Sequence, residues 1–295
     1  MKTSIFDTLE KLNLSSERTR FLFNQGTRDN SAIKVWKDRE TGVVYIDDFY
    51  TGDQTYVNGA FREEKKMASA KTGKYEFERD ADTTRRFDSS LEIIEGKVVA
   101  DFGCGRGDFI KLAKSRCKEI MGIELEKAYI DNLNKNNIYC VDNLSKIEDK
   151  YLDVVCCFHV LEHLPNPLDT LQEMRKKLAV KGKIIIEVPH ANDLLLSKLE
   201  NKKFKEFTLW TQHLILHTKE SLRRMLQYCG FKNIMVQGIQ RYSLSNHLYW
   251  LHKGMPGGHT TALSSIDTEE LNKAYLNSLS SMDATDTLFA FAEVP

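Results

Sequence analysis

The chain has 295 residues, enough for one large domain with additions or for two small ones, and its 41% apolar and 28% charged residues give an ordinary globular balance. Forty-two basic and 42 acidic residues cancel, so there is no chain-wide attraction to a phosphate backbone, and nucleic acid is excluded as the default partner. No run reaches the roughly 18 apolar residues that span a bilayer, and the opening Met1-Lys2-Thr3-Ser4 has no signal-peptide core.

In chain order, residues up to about 30 are polar and expected to be partly helical. Residues 33–47 read as a β-hairpin: Ile33 to Trp36 alternates, Asp38 to Gly42 turns, and Val43 to Ile46 returns. Residues 47–67 are expected to be loop-rich, with Tyr50, Tyr56 and Phe61 as anchors, and 77–94 to form a helix. A boundary near 75 then separates an N-terminal extension, 1–75, from a main domain, 76–295.

Strands and helices alternate from Lys97. Strands are expected at 98–102, 120–123, 138–141, 153–158 and 183–188, and helices at about 108–115, 127–134 and 168–178. Apolar strand runs separated by helices imply a parallel sheet covered on both faces. A helix at 221–230 and two late strands, 231–239 and 286–294, complete a seven-stranded sheet. Residues 243–282 are too long for a hairpin turn and read as a partly helical insertion. The expected fold class is α/β: a Rossmann-like, doubly wound seven-stranded sheet, with an N-terminal helical and hairpin extension and an insertion before the last strand. Cysteines 104, 117, 140, 156, 157 and 229 form no Cys-x-x-Cys pair, and several fall in core strands. Reduced thiols and a cytoplasmic address are expected, and the histidines and acids show no metal-ligand spacing.

Asp101-Phe102-Gly103-Cys104-Gly105-Arg106-Gly107 closes the first of these strands. Glycines let a backbone turn sharply against a ligand, and the helix that follows offers free N–H groups at its start. Glu124 ends the second strand, 17 residues after Gly107, where an acid accepts both ribose hydroxyls of a nucleoside. Asp142 ends the third, where its carboxylate suits an adenine amino group. Strand carboxyl ends are where open α/β sheets bind ligands. A dinucleotide-binding oxidoreductase shares much of this. Its usual Gly-x-Gly-x-x-Gly is Gly-x-Gly-x-Gly here, and Asp108 at the helix start would repel a pyrophosphate.

These residues resemble class I S-adenosylmethionine-dependent methyltransferases. Val98 to Phe109 looks like their first motif, Asp153 to Pro165 like the segment after the fourth strand, and Lys181 to Pro189 like the fifth-strand region. The resemblance runs over about 85–240. It implies S-adenosylmethionine as methyl donor and S-adenosylhomocysteine as product. By the same resemblance Asp101, Gly103, Cys104 and Gly105 cradle the methionine moiety, Glu124 and Leu125 hold the ribose, Asp142 and Asn143 meet the adenine, and Phe158 and His159 back the ligand. Arg85-Arg86 lies on the helix before the first strand, either on a solvated face or with one arginine, Arg86 as first candidate, paired with the ligand carboxylate.

Trp210-Thr211-Gln212-His213-Leu214 and its sequel to Leu222 resemble a segment of sugar methyltransferases. The first histidine and the glutamate of the His-Glu-His-Leu of sugar C-methyltransferases are replaced by Thr211 and Gln212, which leaves His213, the second histidine, available as the base for a hydroxyl. The expected function is O-methylation of a sugar or nucleotide-linked sugar in surface polysaccharide biosynthesis. C- or N-methylation of a nucleotide sugar or another small molecule, and a non-catalytic regulatory subunit that binds S-adenosylmethionine, are the alternatives.

Histidine suits base catalysis because its pKa lies near neutrality. His213 is the first candidate and His190, after Pro189 at a strand end, the second. His163 reads as a packing residue and His217 as the neighbour of a helix cap. Trp210 is expected to stack on a sugar or cover the cleft, and Arg241, Tyr242 and His247 in the insertion to contact the acceptor. Partners are expected to be a small molecule or saccharide, with a homodimer through the insertion as a further reading.

Overall fold

The computed structural model describes residues 4–47, 49–57 and 74–295. Phe61, expected to anchor a loop, lies outside the described residues. Among those described, no helix is long and apolar enough to cross a membrane.

The main sheet has seven strands: β4 (Val98–Phe102), β5 (Glu119–Ile123), β6 (Cys140–Val141), β7 (Leu152–Phe158), β8 (Leu178–Pro189), β10 (Lys232–Ile239) and β11 (Thr287–Glu293). Their order is β10-β11-β8-β7-β4-β5-β6, parallel except for β11, which runs antiparallel to both neighbours. The chain winds outward from β4 to β6, then crosses back to β7 on the other side of β4. That reversal opens a crevice at the carboxyl ends of β4 and β7.

Helices cover both faces. On one lie α3 (Lys74–Ile94), α4 (Asp108–Ala113) and α5 (Lys127–Lys135); on the other, α6 (Pro167–Lys177) and α8 (Lys219–Tyr228). Side chains alternate between the faces as the strand period of two demands. In β8, Ile184, Ile186 and Val188 enter one core, and Ile185 enters the other. Alternation therefore puts Glu187 on the Ile185 face, where it is wholly buried. β8 is longer than the expected 183–188. It begins at Leu178, and an irregularity passes through Lys181 at φ 61° before pairing with β7 resumes at Lys183.

The N-terminal part departs from the expectation in one respect. Residues 20–25 are not loop or helix but strand β1 (Arg20–Gln25), paired with β2 (Lys34–Asp38) of the hairpin. Helix α1 (Ile5–Lys11) starts at a capping box of Ser4 and Asp7. The hairpin forms as read, with Val35 opposite Ile46 of β3 (Val44–Ile46). β3 in turn pairs with β9 (Ile215–Leu216), a strand from the C-terminal half. Tyr45, Val43 and Leu14 pack in the same core as β7 and β8, while Val35, Val44 and Ile46 pack against Leu196, Leu209 and Leu216. Short helix α2 (Asp53–Val57) precedes the main domain, and α7 (Lys202–Thr208) lies before β9. Residues 243–282 hold helices α9 (Leu244–Lys253) and α10 (Glu269–Ser281) around two 3₁₀ turns.

Candidate active site

Strand register brings the expected residues to one edge. Asp101 near the end of β4 is level with Gly122 of β5 and Cys156 of β7. Phe158, the last residue of β7, is level with Glu187 of β8. After Phe102 the chain turns through Gly103, Gly105 and Gly107, all at positive φ, into α4. A Cβ on Gly103 would lie 2.3 Å from the Val160 side chain, and one on Gly107 2.5 Å from that of Leu133. Glycine thus lets the turn lie against the segment after β7 and lets α5 close on α4.

Glu124 is positioned by backbone donors. One carboxylate oxygen accepts from Gly105 N–H at 2.7 Å; the other accepts from Leu125 and Glu126 at 2.8 and 3.0 Å. These three bonds fix the carboxylate at the carboxyl end of β5. Leu125 is 43% exposed beside it, and Cys104 is buried with Sγ 3.9 Å from that of Cys140. Asp142 is half exposed and paired with Lys146 at 2.8 Å, while Asn143 caps the following 3₁₀ turn by accepting from Ser145 N–H. Asp101 is buried, and that burial, helped by the negative charge of Glu124 and opposed by Arg86, raises its carboxyl to about 7.

The other wall is ionic. Arg85 and Arg86 of α3 both donate to Glu187, Arg86 with two bonds to one oxygen at 2.9 and 2.7 Å. Burial pushes the Glu187 carboxyl up, but Arg86, His159 and Arg85 outweigh it and hold it well below the usual range. Arg86 also lies over the ring of Phe158, which meets Phe109 edge-on. His159 sits at φ 55°, a strained conformation for a non-glycine residue, and its ring spans Glu162 and Glu187 at 3.1 Å each. Arg241, just beyond β10, forms a bidentate pair with Asp82 of α3 and reaches His159 at 3.3 Å. Burial alone would raise Asp82; Arg241, then Arg86 and Arg85, bring it down to about 2.

His213 comes to this edge by a different route. Leu214 N–H donates to the Glu162 carbonyl at 2.8 Å, and His163 Nδ1–H donates to the Gln212 carbonyl at 2.6 Å. The 212–214 segment is thereby fastened to the 3₁₀ turn after β7. The rings of His163 and His213 lie 5.3 Å apart, with Trp210 edge-on to both. Trp210 is 2% exposed, and the Arg28 guanidinium covers its ring at 4.3 Å.

Two further expected residues are buried. His190 has a wholly buried side chain, its Nδ1–H donating to the Thr285 carbonyl at 2.9 Å, and burial lowers it to about 4. His247 is buried against Tyr275 of α10, Nδ1 to Oη 2.6 Å, and burial lowers it to about 4 as well. Tyr242 lies beside the Arg241 guanidinium, with Asp286 accepting from both backbone N–H groups.

Sequence reasoning did not single out Asp82, Glu162 or Glu187. Glu187 carried a signal, a lone acid in the apolar run Ile184 to Val188. His163 reads as a packing residue, and no linear spacing ties it or Glu162 to His213. The fold nevertheless brings ligand atoms of Glu162, His163 and His213 within 4.8 Å of one another.

A family described as methyltransferase domain matches residues 74–236, more than half of the chain. An uncharacterized protein of Methanocaldococcus jannaschii is 32% identical over 132 residues, covering 44% of this chain and 56% of that one. A tRNA U34 carboxymethyltransferase of Campylobacter fetus is 30% identical over 105 residues, covering 32% of this chain and 37% of its own. The chain spans about half or less of the length of these curated relatives. Among solved structures, a SAM-dependent methyltransferase from Archaeoglobus fulgidus is 21% identical with a TM-score of 0.49, over 71% of this chain and 91% of that one.

Proposed function

Because the chain belongs to the methyltransferase domain family, we propose that it binds S-adenosylmethionine in the crevice between β4 and β7 and methylates a hydroxyl of a sugar or nucleotide-linked sugar. The observation that carries the reading is the Glu124 carboxylate, held at the switch point by three backbone N–H groups beside the glycine turn. Bound there, S-adenosylmethionine supplies a methyl group on a sulfonium, already a good leaving group, so the protein's task is alignment and removal of a proton.

The chain's residues divide that task. Asp101, buried and ionised by a neighbouring ammonium, receives the amino end of the ligand. Glu124 accepts the ribose hydroxyls, and Asp142 with Asn143 borders the adenine. Asp142 already turns toward Lys146, and an adenine amino group would share it. Arg86 serves the ligand carboxylate only while also holding Glu187. For His213, Nδ1–H donates to the Thr208 carbonyl at 3.2 Å, which leaves Nε2 with the lone pair that takes the hydroxyl proton. The sugar class rests on the resemblance of residues 210–222 to sugar methyltransferases.

Calorimetric titration with S-adenosylmethionine and S-adenosylhomocysteine tests the donor site, with binding expected near micromolar and weakened by Glu124→Ala. Transfer of a labelled methyl group to a panel of nucleotide sugars, with unmodified tRNA as the comparison acceptor, tests the acceptor. Label on tRNA alone overturns the sugar reading. His213→Ala is expected to cut kcat by about 100-fold or more with donor affinity unchanged; near-normal turnover removes His213 as the base.

A further inference from the structure

Glu162 poses a problem that the methyl-transfer reading leaves open. Its side chain is completely buried. One oxygen meets His159 Nδ1 at 3.1 Å, and the other is buried with no hydrogen-bond partner among the described residues. An oxygen of a buried carboxylate left without a partner costs free energy, and such groups are rare unless something else binds them.

The surroundings indicate what binds. His163 and His213 each donate Nδ1–H to a backbone carbonyl, of Gln212 and Thr208 respectively. Each ring is thus fixed in the tautomer whose Nε2 carries a lone pair. A histidine that ligates a metal is held in this way, by a second hydrogen bond from its other nitrogen. His163 Nε2 already lies 3.8 Å from the carboxylate of Glu162. Ligand atoms of the three residues fit within 4.8 Å of one another. Metal–ligand bonds of about 2.0–2.2 Å need those separations to close by roughly an ångström, within reach of small side-chain rotations.

We propose that Glu162, His163 and His213 hold a divalent transition-metal cation through two imidazole nitrogens and one carboxylate, with the remaining positions open to a substrate oxygen. Three protein ligands with an open position is the pattern of catalytic rather than structural sites, and this mixed N/O set suits zinc, cobalt, manganese or ferrous iron. The metal site stands on the cluster's own geometry. Its use in catalysis rests on the proposed methylation of a hydroxyl and changes one part of it. Nε2 of His213 cannot both ligate a metal and take a proton. With the cation bound, the coordinated hydroxyl loses its proton to solvent water. Its oxygen then forms the bond to the methyl carbon as the carbon–sulfur bond breaks, and sulfur keeps the electron pair.

The full chain, stripped with a chelator, is titrated with cobalt(II) by calorimetry and visible absorption. One cobalt per chain is expected, with the intense absorption of four- or five-coordinate nitrogen and oxygen ligation. Glu162→Gln, which keeps the side chain's shape, and His213→Ala should each weaken binding by more than about tenfold. Chemical denaturation without metal checks that both variants fold. Absence of stoichiometric binding, or binding unaltered in both folded variants, overturns the site. Methyl transfer that needs His213 in a metal-free protein that binds no cobalt keeps the base reading and sinks the metal. Cobalt bound through these residues, with no methyl transfer to any hydroxyl, keeps the metal and sinks the hydroxyl acceptor.

Discussion

A single carboxyl group gives the proposed donor site a predictable pH response. Asp101 is raised to about 7 because burial disfavours its charged form. The ammonium of S-adenosylmethionine favours the ionised carboxylate, so binding below pH 7 must expel a proton. Affinity is therefore expected to rise from pH 5.5 to 7, by up to about tenfold per unit, and to level off above. Asp101→Asn should bind more weakly and lose this slope. Calorimetry at pH 5.5, 6.25 and 7 checks both; a flat wild-type profile would show that Asp101 is not the ammonium's partner. The same residue illustrates how far reading a linear motif goes. Asp101 was identifiable from its place before the glycines, but its raised pKa follows from its burial, opposed by Arg86 and helped by Glu124, surroundings that only the fold assembles.

At the scale of elements, the lattice of ion pairs fastens α3 to the sheet edge. Glu187 on β8 and Asp82 on α3 together receive Arg85, Arg86 and Arg241. Replacing Arg85 and Arg86 together by Ala leaves a fully buried carboxylate with His159 as its remaining ion-pair partner among the described residues, a change expected to cost about 3–5 kcal/mol. Both acids are depressed in the folded state, so their contribution is complete above the unfolded carboxylate range near pH 4 and falls away as pH drops below it. Urea unfolding at pH 6.5 and 3.5 should show wild type losing more stability on acidification than the double variant. Equal losses would mean that the lattice adds no net stability. The strands and helices that carry these groups were readable from apolar periodicity. β1 was not, since Arg20 to Gln25 is only partly buried and alternates weakly. Its partner, β2, defines it.

For the molecule as a whole, the N-terminal segment is part of the main core. Tyr45 is 1% exposed, stacks on Phe6, bonds Ser15 and packs in the cluster that includes Val155 of β7 and Ile186 of β8. Tyr45→Ala is expected to cost about 3–5 kcal/mol. It should lower the midpoint of one shared unfolding transition observed by both circular dichroism and tryptophan fluorescence. Two separate transitions, with only one shifted, would mean that the N-terminal part folds independently. β9 shows why: it comes from residues 215–216 yet completes the small sheet, and the same segment presents His213 to Glu162.

The sequence by itself determined the doubly wound sheet, the glycine turn and the acids at the strand ends, because all three depend on local periodicity and on position relative to a strand terminus. The hairpin was legible for the same reason. Only the tertiary structure decided that His190 and His247 are buried, that Glu187 and Asp82 receive the arginines, and that Glu162, His163 and His213 meet. Those outcomes depend on contacts between residues separated by tens to more than a hundred positions. Such contacts are set by how layers pack and strands register, and no local pattern encodes them.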